Sequence, residues 1–492
     1  MTLPPELQRE QARIRDIASE CGLDFFETIF EMVDGDGMNT VASYEGFPVR
    51  YRHWRFGMGY DQISKSYAWG MSKIYELVIN NDPCYAYLLR GNSTVDQKLV
   101  MAHVYGHCDF FKNNLWFQPT NRRMVDELAS HATRIQRHMD REGFDEVEAF
   151  LDSCLSIENL IDIYSPYTTP PAARSAQARE EEEDRAVIRF RAKDYMESFI
   201  NPPEFLAEQR QRLEAERKRK PAFPERPERD VMRFLLENAP LKSWQRDTLG
   251  MIRDEAYYFA PQRLTKIMNE GWASYWHSRM MTGHLLEPGE IIEYAERHAG
   301  AMAVQPGRIN PYKIGIELFR DIEERWNRGR FGKEYEECDD LDARRAWDTG
   351  LGEGRTKIFE VRRIYNDVTF IDEFLTPEFC DAQRLFTYEW NAKTNRREIT
   401  SRDFGDIKGQ LLRSLANGGQ PIIEVVEGNY ANRGELVLRH RHDDADLQLG
   451  QARETLTHVH RLWTRPVHLE TTVEGRARRL SYDGKTHEMG DR

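Results

Sequence analysis

The stretch 95-VDQKLVMAHVYGHCDFF-111, followed by 125-VDELASHATRI-135, decides how the chain is read. Each half looks helical, and each carries two potential metal ligands four residues apart: His103 with His107, then Glu127 with His131. An i,i+4 pair stands on one face of a helix, so two imidazoles so placed can chelate one ion. Histidine and carboxylate together suit Zn, with Fe or Mn as first-row alternatives. An HxxxH pair alone is a weak signal, because 14 histidines in 492 residues make a chance pair commonplace. Surface or core histidines are its ordinary explanation.

Two further features raise the metal reading. Glu127 follows His107 by twenty residues, a spacing like that of HExxH metallopeptidases whose third ligand is a Glu on the next helix. In 269-NEGWASYWH-277, Glu270 and His277 fall seven apart and share a helical face. A similar EGWAxY helix supplies a Glu ligand in some other HxxxH-bearing hydrolases. The candidate ligands are therefore His103, His107, Glu127, His131, Glu270 and His277. Six exceed the needs of one tetrahedral ion, so some would orient ligand imidazoles, or two metals would share carboxylates. A buried polar network between helices is the competing explanation.

One departure bears on chemistry. In HExxH the Glu beside the first His takes the proton from metal-bound water. Val104 stands there and cannot. Glu127, Glu255 or Glu270 would have to serve as the base. Otherwise the site is structural, regulatory or redox-active, the last through a two-metal carboxylate centre. Cys108, beside His107, points about 100° away from it on a helix and reads as core.

Outward from this stretch, residues 5–32 read as one helix, and KIYELVINN and CYAYLLRG as a strand pair. The aromatic segment YEGFPVRYRHWRFGMGYD reads as packing rather than a cleft. Residues 165–184 and 202–230 read as linker-like excursions, Pro/Ala-rich and densely charged respectively. From 383 the pattern is two strands, a helix, two strands, a helix and two strands. The expected fold is α+β: a mainly helical, zincin-like domain with a small sheet at 1–305, a helical connector at 306–380, and an α+β domain (ββαββαββ) at 381–492. His440, His442, His458, His460 and His468 form a second group, read as surface or packing residues; Asn432-Arg433-Gly434 is turn chemistry.

Composition narrows the classes. A net charge of -13 argues against nucleic acid as the main partner. Six scattered cysteines with no CxxC read as reduced thiols. No apolar run approaches a membrane span and no signal peptide is visible, so a cytoplasmic protein is expected. No GxxxxGK[ST], helix-opening GxGxxG or GxSxG appears.

Taken in order, HVYGHCDFFKNN, VDELASHATRI, MNEGWASYWHSR, INPYKIGIELFRDIEERWN, NYANRGELVLRH and LWTRPVHLET make the chain resemble the SpoVR (stage V sporulation protein R) family. The resemblance implies a bacterial protein, of a family found also in bacteria that form no spores, linked to formation of the spore cortex, a peptidoglycan layer, or to stress response. It also implies a PrkA-type serine protein kinase and a von Willebrand A-like protein as partners. Two functions stay open: a metal-dependent hydrolase acting on an amide or related bond, and a non-catalytic scaffold or regulator in a kinase-linked pathway.

Overall fold

The computed structural model describes residues 3–68, 76–168, 202 and 223–491. Two compact units emerge: Met1–Cys154 with Ser243–Gln420, and Leu155–Lys242 with Pro421–Arg492. The division thus falls after residue 420, where the sequence reading put it near 380. Residues 306–380 are not a connector. Ile316, Leu318, Phe319, Ile322, Val361, Phe370 and Phe374 lie in the main core of the first unit. The strands β4 (Thr387–Asn391) and β5 (Arg396–Ser401) form a two-stranded ribbon of their own. Ile407 and Leu411 of the following helix, Phe404–Leu415, are buried in that same core. Burial of that helix, not the order of strands, assigns the segment to the first unit.

In the first unit a small sheet runs in the order β1-β3-β2, with β1 at Thr28–Val33, β2 at Glu76–Ile79 and β3 at Cys84–Leu89. β2 and β3 pair antiparallel, and β1 lies parallel to β3 with Thr28 opposite Cys84. The predicted single helix over 5–32 is therefore divided. It ends at Glu20, and Gly22, at φ 84°, turns the chain while the Leu23 N–H reaches back to the Ala18 carbonyl. Beyond it Thr28, Phe30 and Met32 alternate inward. Their period of two pairs a strand with β3, and the helical spacing of Ile29 and Met32 is coincidental.

β3 leads directly into the helix Thr94–Asn113, here the His helix. Ser93 caps it, its Oγ accepting from the Asp96 N–H. It is buried nearly all round, as a central core helix must be. Against it lies the helix Lys266–Met280, the Glu helix, and against that the helix Pro311–Arg328. Glycines set these spacings. A Cβ on Gly106 would stand 2.7 Å from Ala273 Cα, and one on Gly271 would stand 2.5 Å from the Gly315 backbone. Asp367 tethers the start of the Glu helix by accepting the Ile267 and Met268 N–H groups at 2.8 and 2.9 Å.

The second unit carries a five-stranded sheet, β10-β9-β8-β7-β6: β6 (Ile422–Tyr430), β7 (Glu435–Arg441), β8 (Val467–Val473), β9 (Arg476–Tyr482) and β10 (His487–Asp491). β7 and β8 are parallel, and the helix Leu449–Trp463 makes the crossover. The strands and helix read from the sequence after 420 are present, with β10 added at the edge. Most of the two predicted excursions, 169–184 and 203–222, lies outside the described residues. Among the described residues, no helix is long and apolar enough to cross a membrane.

Candidate metal centre

His103 and His107 project from one face of the His helix, where Gly106 admits the Glu helix closely enough for Glu270 to meet them. The Nε2 atoms of both histidines lie 3.5 Å from one oxygen, Glu270 Oε2. All three residues are largely buried, and Oε2 has no hydrogen-bond partner. At 3.5 Å neither imidazole makes a regular hydrogen bond to it. Among the described residues these three form the one group of His, Cys, Asp or Glu whose ligand atoms crowd within 4.8 Å. Burial acts to raise the Glu270 carboxyl, but in the metal-free site imidazoles that turn Nε2–H towards it outweigh burial and hold the group well below its ordinary range. Lys266 Nζ, 3.6 Å from Oε1, holds the other oxygen.

The remaining ring nitrogens are engaged. His107 Nδ1 lies 2.8 Å from Asn269 Oδ1, and His103 Nδ1 lies 2.8 Å from His277 Nδ1. An imidazole that donates its lone pair through Nε2 carries its proton on Nδ1. Both Nδ1–H groups then have an acceptor. His277 must accept through Nδ1, so its own proton sits on Nε2 and faces His298 Nδ1 at 3.3 Å. Burial, followed by the neighbouring His103 and His298, pushes His277 well below its usual pKa and keeps it neutral, as that role requires. Tyr312 stacks near His103, its ring centroid 6.1 Å away, and Phe111 near His107 at 6.0 Å.

The structure thus brings four of the six predicted ligands together, three around one point and His277 behind them. It does not bring Glu127 or His131 there. His131, fully buried, sits between Glu127 Oε1 at 3.4 Å and Glu255 Oε1 at 2.9 Å. Arg50 takes the other Glu255 oxygen at 2.9 Å and also pairs with Glu45. The predicted single convergence is therefore two separate clusters. The reason is geometric: the twenty-residue spacing puts Glu127 on the helix Met124–Glu142, whose buried face packs against the helix Ser243–Leu264 that carries Glu255. Glu127 and Glu255, named as candidate bases, engage His131 rather than the Glu270 group. Val104 is wholly buried.

Sequence reasoning overlooked Asn269, His298, Lys266 and Arg50. Asn269 and Lys266 were legible as neighbours of Glu270 on its own helix; His298, on the helix Ile291–Ala301, carried no sequence signal. Phe47, Tyr51 and Phe56 of the aromatic segment are buried, with the Arg50 guanidinium over the last two rings at 5.3 and 5.1 Å. Cys108 is fully buried, its thiol pushed up by burial. The second histidine group takes scattered partners: His440 meets Thr471, His442 meets Asp446, and His468 lies between Ser481 and Glu435.

The profile of the family described as "SpoVR like protein" matches residues 2–420, and that of the "SpoVR-like C-terminal domain" matches 421–474. The chain belongs to the SpoVR-like family. Its two family regions meet at 420/421, where the polypeptide passes for the last time from the first compact unit to the second; the first region also includes Leu155–Lys242 of the second unit. A relative from Escherichia coli (strain K12), "Uncharacterized protein YcgB", is 32% identical over 491 residues, covering 94% of this SpoVR-like chain and 91% of the relative. No solved structure matches.

Proposed function

We propose that this SpoVR-like protein is a metalloprotein holding one divalent transition metal, with Zn favoured over Fe or Mn, between His103 Nε2, His107 Nε2 and Glu270. The observation that carries the reading is the buried Glu270 Oε2, without a hydrogen-bond partner and faced by two imidazole nitrogens at 3.5 Å. Burying an unpartnered carboxylate oxygen is costly. A cation among the three atoms removes that cost, and two His with one Glu is a donor set used by catalytic zinc sites. Asn269 Oδ1 and His277 Nδ1 stand where they can accept the Nδ1 protons that ligation through Nε2 requires. A buried helix following a mixed three-stranded sheet, with the carboxylate on a later helix, is also compatible with a zincin-like arrangement. A bound metal would supply Lewis acidity. This chain's own residues would hold the imidazoles in one orientation and keep the carboxylate ionised.

A second reading concerns what the site is for. Val104 occupies the place of the usual HExxH glutamate and is buried, while Glu127 and Glu255 are engaged elsewhere. That favours a structural or regulatory metal in a scaffold acting with a PrkA-type kinase and a von Willebrand A-like protein, in spore cortex formation or stress response, over a hydrolase of an amide bond. The hydrolase requires the metal, whereas the scaffold's helices would be held by a metal or by a polar network. Protein purified without a His tag should carry about one equivalent of a transition metal, lost in His103→Ala and Glu270→Gln. Less than about 0.2 equivalents in the parent protein, with no change on His103→Ala, removes the proposal. Should the metal be present, Glu270→Gln separates the two roles: loss of a phenotype with partner pull-down intact favours chemistry, and loss of the pull-down itself favours the scaffold.

A further inference from the structure

The second unit contains a cavity of about 540 Å³ that the metal centre does not use, of a size that takes small molecules. Its walls come from two turns and a helix end: Asn429 to Gly434 between β6 and β7, Trp463 to Arg465 before β8, and Asn238.

The walls are held in place before any ligand arrives. Asn432 and Gly434 adopt positive φ of 60° and 70°, and Thr464 ends its helix at 66°. The Gly434 N–H donates to Asn429 Oδ1 at 2.9 Å, and the Gly434 carbonyl accepts from the Trp463 indole at 2.8 Å. Arg465 Nη1 donates to the Arg433 carbonyl at 2.9 Å, lying so close over Gly434 that a Cβ there would stand 3.0 Å from Arg465 Cδ. The two arginines differ. Arg433 is neutralised by Glu435, whose other neighbour is His468. Among the described residues no ion pair involves Arg465, and it is exposed.

We propose that this cavity binds a small hydrophilic molecule that carries an oxyanion, phosphate or carboxylate, against Arg465 and presents hydroxyl or amide groups to Asn429 and Asn432. A guanidinium recognises either oxyanion through paired N–H donors. Asn429 Oδ1 already accepts from the Gly434 N–H and Asn429 Nδ2 donates one hydrogen to Asn432 Oδ1 at 3.3 Å, so the second Nδ2 hydrogen of Asn429 is what this wall offers to an acceptor oxygen on the ligand. The negative end of the helix Leu449–Trp463 also faces this region, so a bare anion is disfavoured and a ligand with its own donors is preferred. Because the turns are already cross-braced, little ordering opposes binding.

The test is calorimetric titration of the full-length chain with glycerol 3-phosphate, a phosphorylated polyol, and glycylglycine, a carboxylate with a peptide amide. One of them should bind, and Arg465→Gln should weaken it by at least about tenfold, the loss of one charge-assisted contact. Arg465→Gln also removes the hydrogen bond to the Arg433 carbonyl, so the ligand-free variant should melt at most a few degrees below the parent. Glycerol 3-phosphate binding identifies the phosphate class, glycylglycine the carboxylate class. Absence of binding by both at millimolar concentration, or equal affinity in Arg465→Gln, overturns the proposal. Metal content has no bearing on either outcome.

Discussion

Replacing Gly106 by alanine tests the link between helix spacing and the metal centre. The glycine lies between the two ligand histidines on the helix that meets the Glu helix. The added methyl carbon would stand 2.7 Å from Ala273 Cα and 3.2 Å from its Cβ, where ordinary contact begins at 3.4 Å. Backbone is the obstacle, so no side chain can swing aside, and the two helices must separate by about 0.7 to 1 Å. Metal–ligand distances tolerate only about 0.2 Å. Either Glu270 or one imidazole then leaves the coordination set. Overpacking costs about 1–3 kcal/mol, offset by about 0.5–1 kcal/mol from the better helix propensity of alanine. Gly106→Ala should therefore remain folded, with a modest fall in melting temperature. Its metal affinity should fall by more than the 10- to 100-fold typical of losing an orienting partner. Zinc competition against a chromophoric chelator measures the affinity, and circular dichroism checks the fold. Parent-like affinity together with a parent-like melting temperature would refute the argument that helix approach assembles the site.

Other substitutions separate the parts. His277→Leu leaves the ligands in place but removes the acceptor for His103 Nδ1, so metal affinity should drop by about 10- to 100-fold; unchanged chelator competition would show that His277 merely fills space. Glu255→Gln breaks the buried Arg50–Glu255–His131 network and should cost about 3–5 kcal/mol in denaturant unfolding while metal stoichiometry stays at the parent value. Loss of metal in a still-folded Glu255 variant would contradict the division into two clusters. Burial pushes Asp109 up to about 6 and Asp367 up to about 7 from 3.8. Between these limits the folded chain holds protons that the unfolded chain has released, so these groups' contribution to stability is greatest below about pH 4 and declines as pH rises towards 7. Urea unfolding of EDTA-treated protein at several pH values should show this slope shrinking in Asp367→Asn; an unaltered slope would exclude Asp367 as its source.

The candidate site was legible in part because its chemistry is local in sequence. His103 with His107, and Glu270 with His277, are fixed by helical periodicity once both segments are helices. The His helix, the helix Met124–Glu142, the Glu helix and, β10 apart, the elements after residue 420 were legible for the same reason, each carrying its own periodicity, caps and turn residues; the helices Gly35–Ser43 and Trp54–Ala68 were not read. The strand Thr28–Val33 was not, since six residues with apolar side chains at both helical and strand spacings are settled only by the partner strand that accepts their backbone hydrogen bonds. The domain boundary failed similarly. Strand order at 387–441 looked continuous, yet burial of Ile407 and Leu411 in the first core decided membership.

By itself the sequence determined which side chains could act as ligands, which of them share a helical face, and that Val104 replaces a carboxylate. Which faces meet was decided only by packing in three dimensions. Glycines at 106, 271 and 315 let backbones touch, and their role is invisible until the opposing backbone is placed. That contact joins Glu270 to His103 and His107 and leaves Glu127 with His131 and Glu255, because coordination depends on ångström distances between segments far apart in the chain, which spacing along it does not encode.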